Sequence, residues 1–190
     1  MRESLRPALS MFLILTFICA ILYPFAITLI GRLLFPEKVI GSLILREGQP
    51  IGSLLIGQAF SSPKYFWGRP SATSPMPNNA SASNGSNLGT KNPAKIKMLK
   101  ERVDALKAAD PYNRSLIPVD LVTASASGLD PEISLAAAYY QASRVARERK
   151  LAVEYVNKLI EKQSKGTYFG ILGEPRVNVL MLNLALDKLS

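Results

Sequence analysis

The residues of this sequence whose types and spacing could do chemistry lie in the segment VTASASGLDPEIS, residues 122–134. Ser125 and Ser127 place two hydroxyls directly before Gly128, shortly ahead of a predicted helix. Hydroxyls and unpaired backbone amides at the start of a helix can bind an anion such as phosphate. The same small residues also suit a tight connection in which two backbone segments pass close together. Neither of the glycine-rich phosphate-binding patterns, GxxxxGKS/T or GxGxxG, occurs in this segment, so its residue types favour the structural interpretation.

Composition excludes most other catalytic chemistry. The chain of 190 residues contains no histidine, which removes Ser-His and Cys-His pairs and every His-based metal site. Its one cysteine, Cys19, lies in an apolar run, where we interpret it as a buried, unreactive thiol that forms neither an internal disulfide nor a zinc cluster. Ser-Lys chemistry stays open, but it needs a lysine held against one of the serines. We therefore predict no catalytic residue and no metal site.

Residues 7–31 form an uninterrupted stretch without a charged side chain. About 20 apolar residues cross a hydrocarbon core of ~30 Å, so we predict a transmembrane anchor helix over residues 9–35, after a short tail at residues 1–8. Pro24 lies in its interior and should kink the helix or unwind one turn. A cleaved signal peptide is the alternative, but the stretch is long for one and ends in no small-x-small cleavage pattern. Positive charges flank both sides, so charge gives no orientation.

Beyond the anchor, residues 36–190 are predicted to form a single mixed α/β domain of the α+β type. Two apolar, branched segments, residues 39–46 and 50–60, flank a turn at residues 47–49 and predict a β-hairpin. The segment 71–92 is rich in Ser, Asn, Pro and Gly, as a linker would be. The strands before it could not bury a core alone, so we interpret it as a long surface loop inside the domain.

Local signals place the remaining elements. The aromatic segment YFWGRP at residues 65–70 is predicted to pack in the core, with ligand stacking as the alternative. Asn92 and Pro93 are typical of a helix start, and a second helix is predicted to begin near Ser134. The other predicted elements are a strand closing at residues 121–123, a tight connection over 124–129, a helix over 152–163, and a short strand leading into a helix over 177–186.

Basic residues outnumber acidic ones and give the chain a formal net charge of +9. They are dispersed, apart from a cluster on the second predicted helix at Arg144, Arg147, Arg149 and Lys150. We interpret this cluster as a solvated basic face that contacts an acidic partner surface or lipid headgroups. Nucleic acid is not a predicted partner, because the sequence shows no interleaving of basic and aromatic residues that would form a binding groove.

Several segments taken together resemble the C subunit of the Kdp-type potassium-transporting ATPase. In chain order they are LRPALS before the anchor, GSLILREGQPIGS, LIGQAF, YFWGRPSAT, GSNLGTKNP, VDLVTASASGLDP, Gln141 shortly followed by RVARER, and GEPRVNVLMLNLALDKL. Each segment is a weak motif alone. Their order and spacing over the whole chain make the resemblance specific.

The resemblance implies an accessory, non-catalytic subunit of a high-affinity, ATP-driven potassium uptake pump, which is a P-type ATPase complex of the bacterial inner membrane. Its implied role is assembly and stability of that complex. The implied partners are a P-type ATPase subunit, a channel-like potassium-binding subunit and a small single-span subunit, together with membrane lipid. The family's domain is usually placed on the extracytoplasmic side, so we expect a single-pass protein with its soluble domain there.

The family is also described as a catalytic chaperone that raises the affinity of the ATPase subunit for ATP. The positions that would contact ATP by this resemblance are Ser125, Ser127, Gly128 and Gln141. An extracytoplasmic domain cannot touch cytosolic ATP, so it would act through conformational coupling. Two alternatives stay open: a direct nucleotide-binding accessory that shares an ATP site with the ATPase subunit, and a generic membrane-anchored binding protein.

Overall fold

The computed structural model describes residues 2–189, with side chains described from residue 4 onward. The chain divides into two compact units, Met1–Leu43 and Ile44–Ser190. The first unit is built around an apolar helix, and the second combines helices with a small three-stranded sheet. This confirms the predicted fold class, an N-terminal apolar helix followed by a mixed α/β domain.

One continuous helix dominates the first unit. Helix α1 (Arg2–Thr16) passes through a π-helical segment (Phe17–Leu22) into helix α2 (Tyr23–Leu34). The stretch Ser4–Leu34 is long and apolar enough to cross a membrane, and none of it is buried within the chain. Cys19 is exposed on this helix, so its interpretation as a buried thiol is wrong. An apolar surface of this length is what a candidate membrane span presents to lipid.

The π-helical segment ends at Leu22, two residues before Pro24. A proline in a regular α-helix has no N–H to donate, and its ring clashes with the carbonyl four residues earlier. The backbone N–H of Tyr23 instead donates to the carbonyl of Ile18, five residues back, which is the wider π-type turn. The chain therefore stays helical through Pro24 and is not unwound there. A separate short helix, α3 (Pro36–Val39), follows.

A β-hairpin follows α3. Strands β1 (Leu43–Arg46) and β2 (Gln49–Ser53) form a two-stranded sheet, which confirms the predicted hairpin. Glu47 and Gly48 connect them with φ of 53° and 76°. Two successive positive φ angles are typical of the type I′ turn, whose twist matches that of the flanking strands. Both strands are shorter than predicted, because the chain is helical before them and irregular after them.

Side-chain caps start the helices where the sequence predicts them. Asn92 Oδ1 accepts the backbone N–H two residues on, at 2.9 Å, and begins helix α4 (Pro93–Ala109). Ser134 Oγ accepts the backbone N–H three residues on, at 3.0 Å, and begins helix α6 (Leu135–Arg149). These caps satisfy amides that have no partner inside the helix. The last two helices are α7 (Val153–Gln163) and α8 (Val179–Asp187).

A three-stranded antiparallel sheet supports these helices. Its strands are β3 (Glu132–Ser134), β4 (Ser164–Lys165) and β5 (Arg176–Asn178), in the order β3-β5-β4. Strand β5 leads directly into α8, which confirms the predicted strand and helix at the C-terminus.

The predicted strand closing at residues 121–123 is wrong. These residues belong instead to a single helical turn, α5 (Val119–Val122), and Thr123 Oγ1 donates back to the carbonyl of Val119 at 2.8 Å. A short apolar run fits either a strand or a helix by its pattern alone. Pro118 before it supplies the fixed φ, −60°, of a helix-starting residue, which favours the turn.

The core of the second unit lies where α6, α7 and α8 pack on the sheet. Phe66 of the irregular aromatic segment is fully buried, and Trp67 packs against the same core, which confirms its predicted core role. Burial of apolar surface is the main stabilising contribution to such a domain. The other fully buried apolar side chains of larger size are Ile133, Val145, Val156, Ile160, Val177, Leu182 and Leu186.

Candidate functional site

The aromatic segment is held by side-chain amides rather than by a neighbouring strand. Asn183 Oδ1 accepts the N–H of Phe66 at 2.9 Å, and Asn183 Nδ2 donates to the carbonyl of Phe66 at 3.0 Å. Gln141 repeats the arrangement on the next residue, with Oε1 accepting the N–H of Trp67 at 2.8 Å and Nε2 donating to its carbonyl at 3.1 Å. Buried backbone groups must find partners, and here α6 and α8 supply them.

Gln141 has its full hydrogen-bonding capacity in use. Besides the two bonds to Trp67, its Oε1 accepts Arg144 Nη2 at 2.7 Å, and its Nε2 donates to the carbonyl of Ala137 at 3.2 Å. A side-chain amide offers two donors and two acceptor sites. Its exposed fraction is 1%. A ligand at Gln141 would have to replace one of these bonds, so the ATP contact at this position stays a prediction.

Arg144 is the most deeply buried charged residue of α6, with an exposed fraction of 2%. Its Nη1 donates to the carbonyls of Pro63 and Tyr65, the latter at 3.1 Å, and its guanidinium stacks 4.4 Å from the ring centre of Trp67. Burial lowers the pKa of Arg144 to about 10, while the nearby carboxylate of Asp110 opposes that shift. Arg144 therefore ties α6 to the irregular segment.

The prediction of a solvated basic face on α6 holds for Arg147 and Lys150, which are exposed, but not for Arg144, which is buried. Arg149 is also largely buried and bonds Asp187 Oδ1 at 2.7 Å and the carbonyl of Lys64 at 2.8 Å. Arg147 is exposed and bonds Asp110 Oδ1 at 3.0 Å. A stripe of arginines on a helix predicts solvent contact only if no other segment covers it. Here residues 63–67 cover part of that face and accept its hydrogen bonds.

The predicted serine segment forms one tight turn. Gly128 has φ of 68°, a left-handed conformation that glycine adopts readily, and its N–H donates to the carbonyl of Ser125 at 3.3 Å. Ser125 is buried, and its N–H donates to the carbonyl of Pro70 at 3.2 Å. Ser127 is exposed, and its Oγ accepts the N–H of Leu129 at 3.1 Å. The turn thus uses these groups for its own geometry.

The loop 71–92 packs directly on this turn. Ser71 Oγ donates to the carbonyl of Gly128 at 2.7 Å, and the N–H of Asn84 donates to the carbonyl of Ser127 at 3.0 Å. A Cβ added at Gly128 would lie 2.6 Å from the carbonyl oxygen of Asn84 and 2.6 Å from a methyl of Thr73. Real Cβ atoms essentially never come this close to backbone. The close approach therefore requires glycine.

An anion site at this turn meets two obstacles. The N-terminus of α6 is occupied by Ser134 Oγ, and the carboxylate of Asp120 accepts the N–H of Ser134 at 2.8 Å. A phosphate there would face a carboxylate at short range. The cavity beside the turn, at Thr123 and Ala124, has a volume of about 80 Å³, whereas small-molecule sites usually span ~300–1,000 Å³. A larger cleft reaches Ser134, but the carboxylates of Asp120, Asp130 and Glu132 line it too.

The structure therefore brings Ser125, Ser127 and Gly128 together in one turn and places Gln141 against Trp67. No group of three Asp, Glu or Cys side chains in the described part of the chain is arranged to hold a metal ion. Through their hydrogen bonds, these residues can hold the irregular segments 65–70 and 71–92 in place.

Sequence reasoning missed an open cleft of about 680 Å³ beside β3. Asp130 pairs with Arg69 at 3.0 Å, and Glu132 pairs with Arg176 at 2.7 Å. The carboxylate of Glu132 raises the pKa of the half-buried Arg176 guanidinium. The density of acidic residues around positions 120–132 is a sequence signal, but the arginines reach them only through the fold. The charged lining residues are Arg69, Asp120, Asp130, Glu132, Glu174 and Arg176.

Comparison with known proteins gives a consistent result. The family model described as "KdpC: K+-transporting ATPase, c chain" matches residues 5–188. A protein named potassium-transporting ATPase KdpC subunit from Janthinobacterium sp. (strain Marseille) is 64% identical over 188 residues, covering 99% of this chain and 100% of that protein. A protein of the same name from Herminiimonas arsenicoxydans is 65% identical over 188 residues, covering 99% of each chain. The chain therefore belongs to the KdpC family, the C chain of the K+-transporting ATPase.

Proposed function

We propose that this chain is an accessory subunit, without an active site of its own, that assembles and stabilises an ATP-driven potassium uptake pump. The observation that carries the proposal is that the four candidate site residues make their contacts within the chain. Ser125, Ser127, Gly128 and Gln141 bind other parts of the same chain, and they order a loop and an aromatic segment that have no helix or strand. The assignment to a potassium pump rests on family membership, and the hydrogen bonds favour a structural role for these residues.

The proposed placement follows from the apolar helix. Ser4–Leu34 would cross the bacterial inner membrane once, with the second unit on the extracytoplasmic side. Its exposed apolar surface would pack against lipid and against the other subunits. The proposed partners are a P-type ATPase subunit, a channel-like potassium-binding subunit and a small single-span subunit. Membrane helices associate through close packing, because lipid supplies no hydrophobic driving force between them.

An effect on ATP affinity would be indirect in this proposal. A domain outside the membrane would favour the ATP-binding state of the ATPase subunit by binding that state more tightly. A coupling of 1–3 kcal/mol is typical and corresponds to a change of roughly 5- to 150-fold in affinity. The internal bonding of Gln141 and the small cavity at the turn support coupling over direct contact with ATP.

The test is the ATP dependence of the purified complex carrying Ser125→Ala or Ser127→Ala. We expect the half-saturating ATP concentration to stay within about twofold, since neither hydroxyl would touch nucleotide. Ser115→Ala, at an exposed position on another loop, is the matched control. Gly128→Val should instead reduce recovery of the folded chain, because its side chain would collide with Asn84 and Thr73.

A tenfold rise in the half-saturating ATP concentration for either alanine variant, with assembly intact, would contradict this proposal. It would mean a loss of about 1.4 kcal/mol of binding free energy through a hydroxyl. The direct nucleotide-binding alternative would then be favoured.

A further inference from the structure

A second hairpin projects between β4 and β5. Tyr168 and Leu172 pair as an isolated antiparallel bridge, with N–H to carbonyl distances of 2.8 and 2.9 Å. Phe169, Gly170 and Ile171 connect them, with φ of 53° at Phe169 and 76° at Gly170. The carbonyl of Tyr168 accepts the N–H of Ile171 at 3.2 Å as well as that of Leu172, which closes this three-residue connection. The segment 168–172 is therefore held in a defined shape by its own backbone, and we refer to it as the apolar tip.

The apolar tip exposes large hydrophobic side chains. Phe169 has an exposed fraction of 93% and Ile171 of 82%, and Tyr168 and Leu172 are more than half exposed. Scattered exposed hydrophobic residues are ordinary, but a contiguous cluster marks an interaction site. A positive φ at Phe169 adds a conformational cost that a solvent-exposed turn would avoid with Asn or Gly. Shape, exposure and residue type together indicate a surface that another molecule covers.

The apolar tip borders the acidic cleft described above. Tyr168 and Val119 both line the cleft, and the exposed Val119 lies three residues after Leu116, whose exposed fraction is 94%. The cleft lining contains two more carboxylates than guanidiniums, although the chain as a whole is basic. The surface therefore combines apolar anchors with a local negative charge.

Charge distinguishes between the two candidate occupants of such a surface, an anionic membrane and another protein. A membrane surface rich in anionic lipid attracts exposed Lys and Arg, but the cations at the base of the tip are already paired. Arg176 and Lys165 both contact the carboxylate of Glu132, at 2.7 and 3.4 Å. The two cleft carboxylates that are not paired with an arginine, Asp120 and Glu174, would repel anionic headgroups. A protein segment that carries a lysine or arginine beside an apolar socket is complementary to both features.

We propose that the apolar tip and the acidic cleft form the docking surface for another subunit of the pump. Phe169 and Ile171 enter an apolar socket on that subunit, and a basic side chain of the same subunit enters the cleft near Glu174. Aromatic anchors in such sockets supply a large share of binding energy. This inference rests on the proposed function, because it requires that the chain assembles with partner subunits.

The first experiment places photoreactive benzoylphenylalanine at position 169 of the full chain within the intact complex. We expect a cross-link to a protein subunit of the pump after illumination. The same probe at Tyr155, which is also exposed but does not line the cleft, is the matched control and should give at least tenfold less of that product. A cross-link to lipid only, to a second copy of this chain, or to nothing would overturn the inference.

The second experiment tests the two chemical components by substitution. Phe169→Ser together with Ile171→Ser should reduce retention of the partner subunits during dilution washes by at least tenfold, whereas Tyr155→Ser should not. Glu174→Lys should weaken retention several-fold, more at low than at high salt, because it reverses a cleft charge. Unchanged melting temperatures would show that each variant is folded. Equal retention for the tip variant and its control would overturn the inference.

The outcomes separate this inference from the proposed function. A wild-type chain that purifies with the pump while the tip variants behave like their controls would reject the docking surface and leave the accessory role intact. A wild-type chain that fails to purify with any pump subunit would reject the accessory role itself.

Discussion

At the scale of single residues, buried polar side chains carry much of the specificity of this fold. Gln141 and Asn183 pair the backbone of two successive aromatic residues, and Arg144 binds two further carbonyls beside them. A buried polar group that loses its partner costs about 1–3 kcal/mol. These residues therefore determine the path of a segment that forms no secondary structure.

Replacing Gln141 by Leu should destabilise the chain. The substitution leaves the N–H and carbonyl of Trp67 without their partners, and we expect a loss of roughly 2–4 kcal/mol. The melting temperature of the full chain in detergent should fall by roughly 5–10 °C. Gln49→Leu, on the exposed hairpin, is the matched control and should change it little. Equal melting temperatures for the two variants would contradict the structural role of Gln141.

At the scale of elements, the π-helical segment and the two hairpin turns show how local chemistry shapes the chain. The wide turn at Phe17–Leu22 accommodates the proline that follows it. Both hairpin turns have a glycine with a positive φ, Gly48 and Gly170, at the second position of the connection. Each element thus has its cause within a few residues of itself.

A charge placed in the apolar helix should prevent its insertion. Leu15→Arg puts a guanidinium near the centre of the candidate span, which costs ~2.5–3.5 kcal/mol on insertion scales. We expect less chain in the membrane fraction and less recovered complex. Leu189→Arg, at an exposed position near the C-terminus, is the control and should change neither. Normal recovery of the complex with Leu15→Arg would argue against a transmembrane role for this helix.

At the scale of the whole molecule, the absence of histidine has a thermodynamic consequence. Histidine is the side chain whose ordinary pKa lies between about pH 5 and 8, and this sequence has none. Burial lowers the pKa of Arg144 to about 10, so its guanidinium stays charged in both the folded and the unfolded chain below that value. Its burial cost is therefore constant at neutral pH and decreases only as pH rises through about 10.

The stability of the chain should accordingly be nearly independent of pH around neutrality. Melting temperatures of the purified chain at about pH 6 and about pH 7.5 should agree within about 2 °C, since no histidine changes its protonation between them. Thermal unfolding followed by circular dichroism is the measurement. A difference larger than about 5 °C would reveal a titrating group that the composition does not suggest.

The sequence by itself determined the features whose causes are local. The cap at Asn92, the cap at Ser134, the turn at Glu47 and Gly48, and the apolar span are each specified within a few residues, because capping, turn and hydrophobic signals act over that range. Family membership was also readable, because it depends on the order of segments along the chain.

Only the tertiary structure decided which polar residues are internal. Gln141 lies 74 positions after Trp67, and nothing in the local pattern of α6 indicates that a distant irregular segment covers its arginines. For the same reason the sequence predicts a strand at residues 121–123, since their run of apolar residues suits both states until Pro118 and Asp120 acquire their contacts. The acidic cleft likewise exists because antiparallel pairing of β3 with β5 brings Arg176 to Glu132. Contacts between residues far apart in sequence depend on loop closure and packing, which no short window of sequence contains.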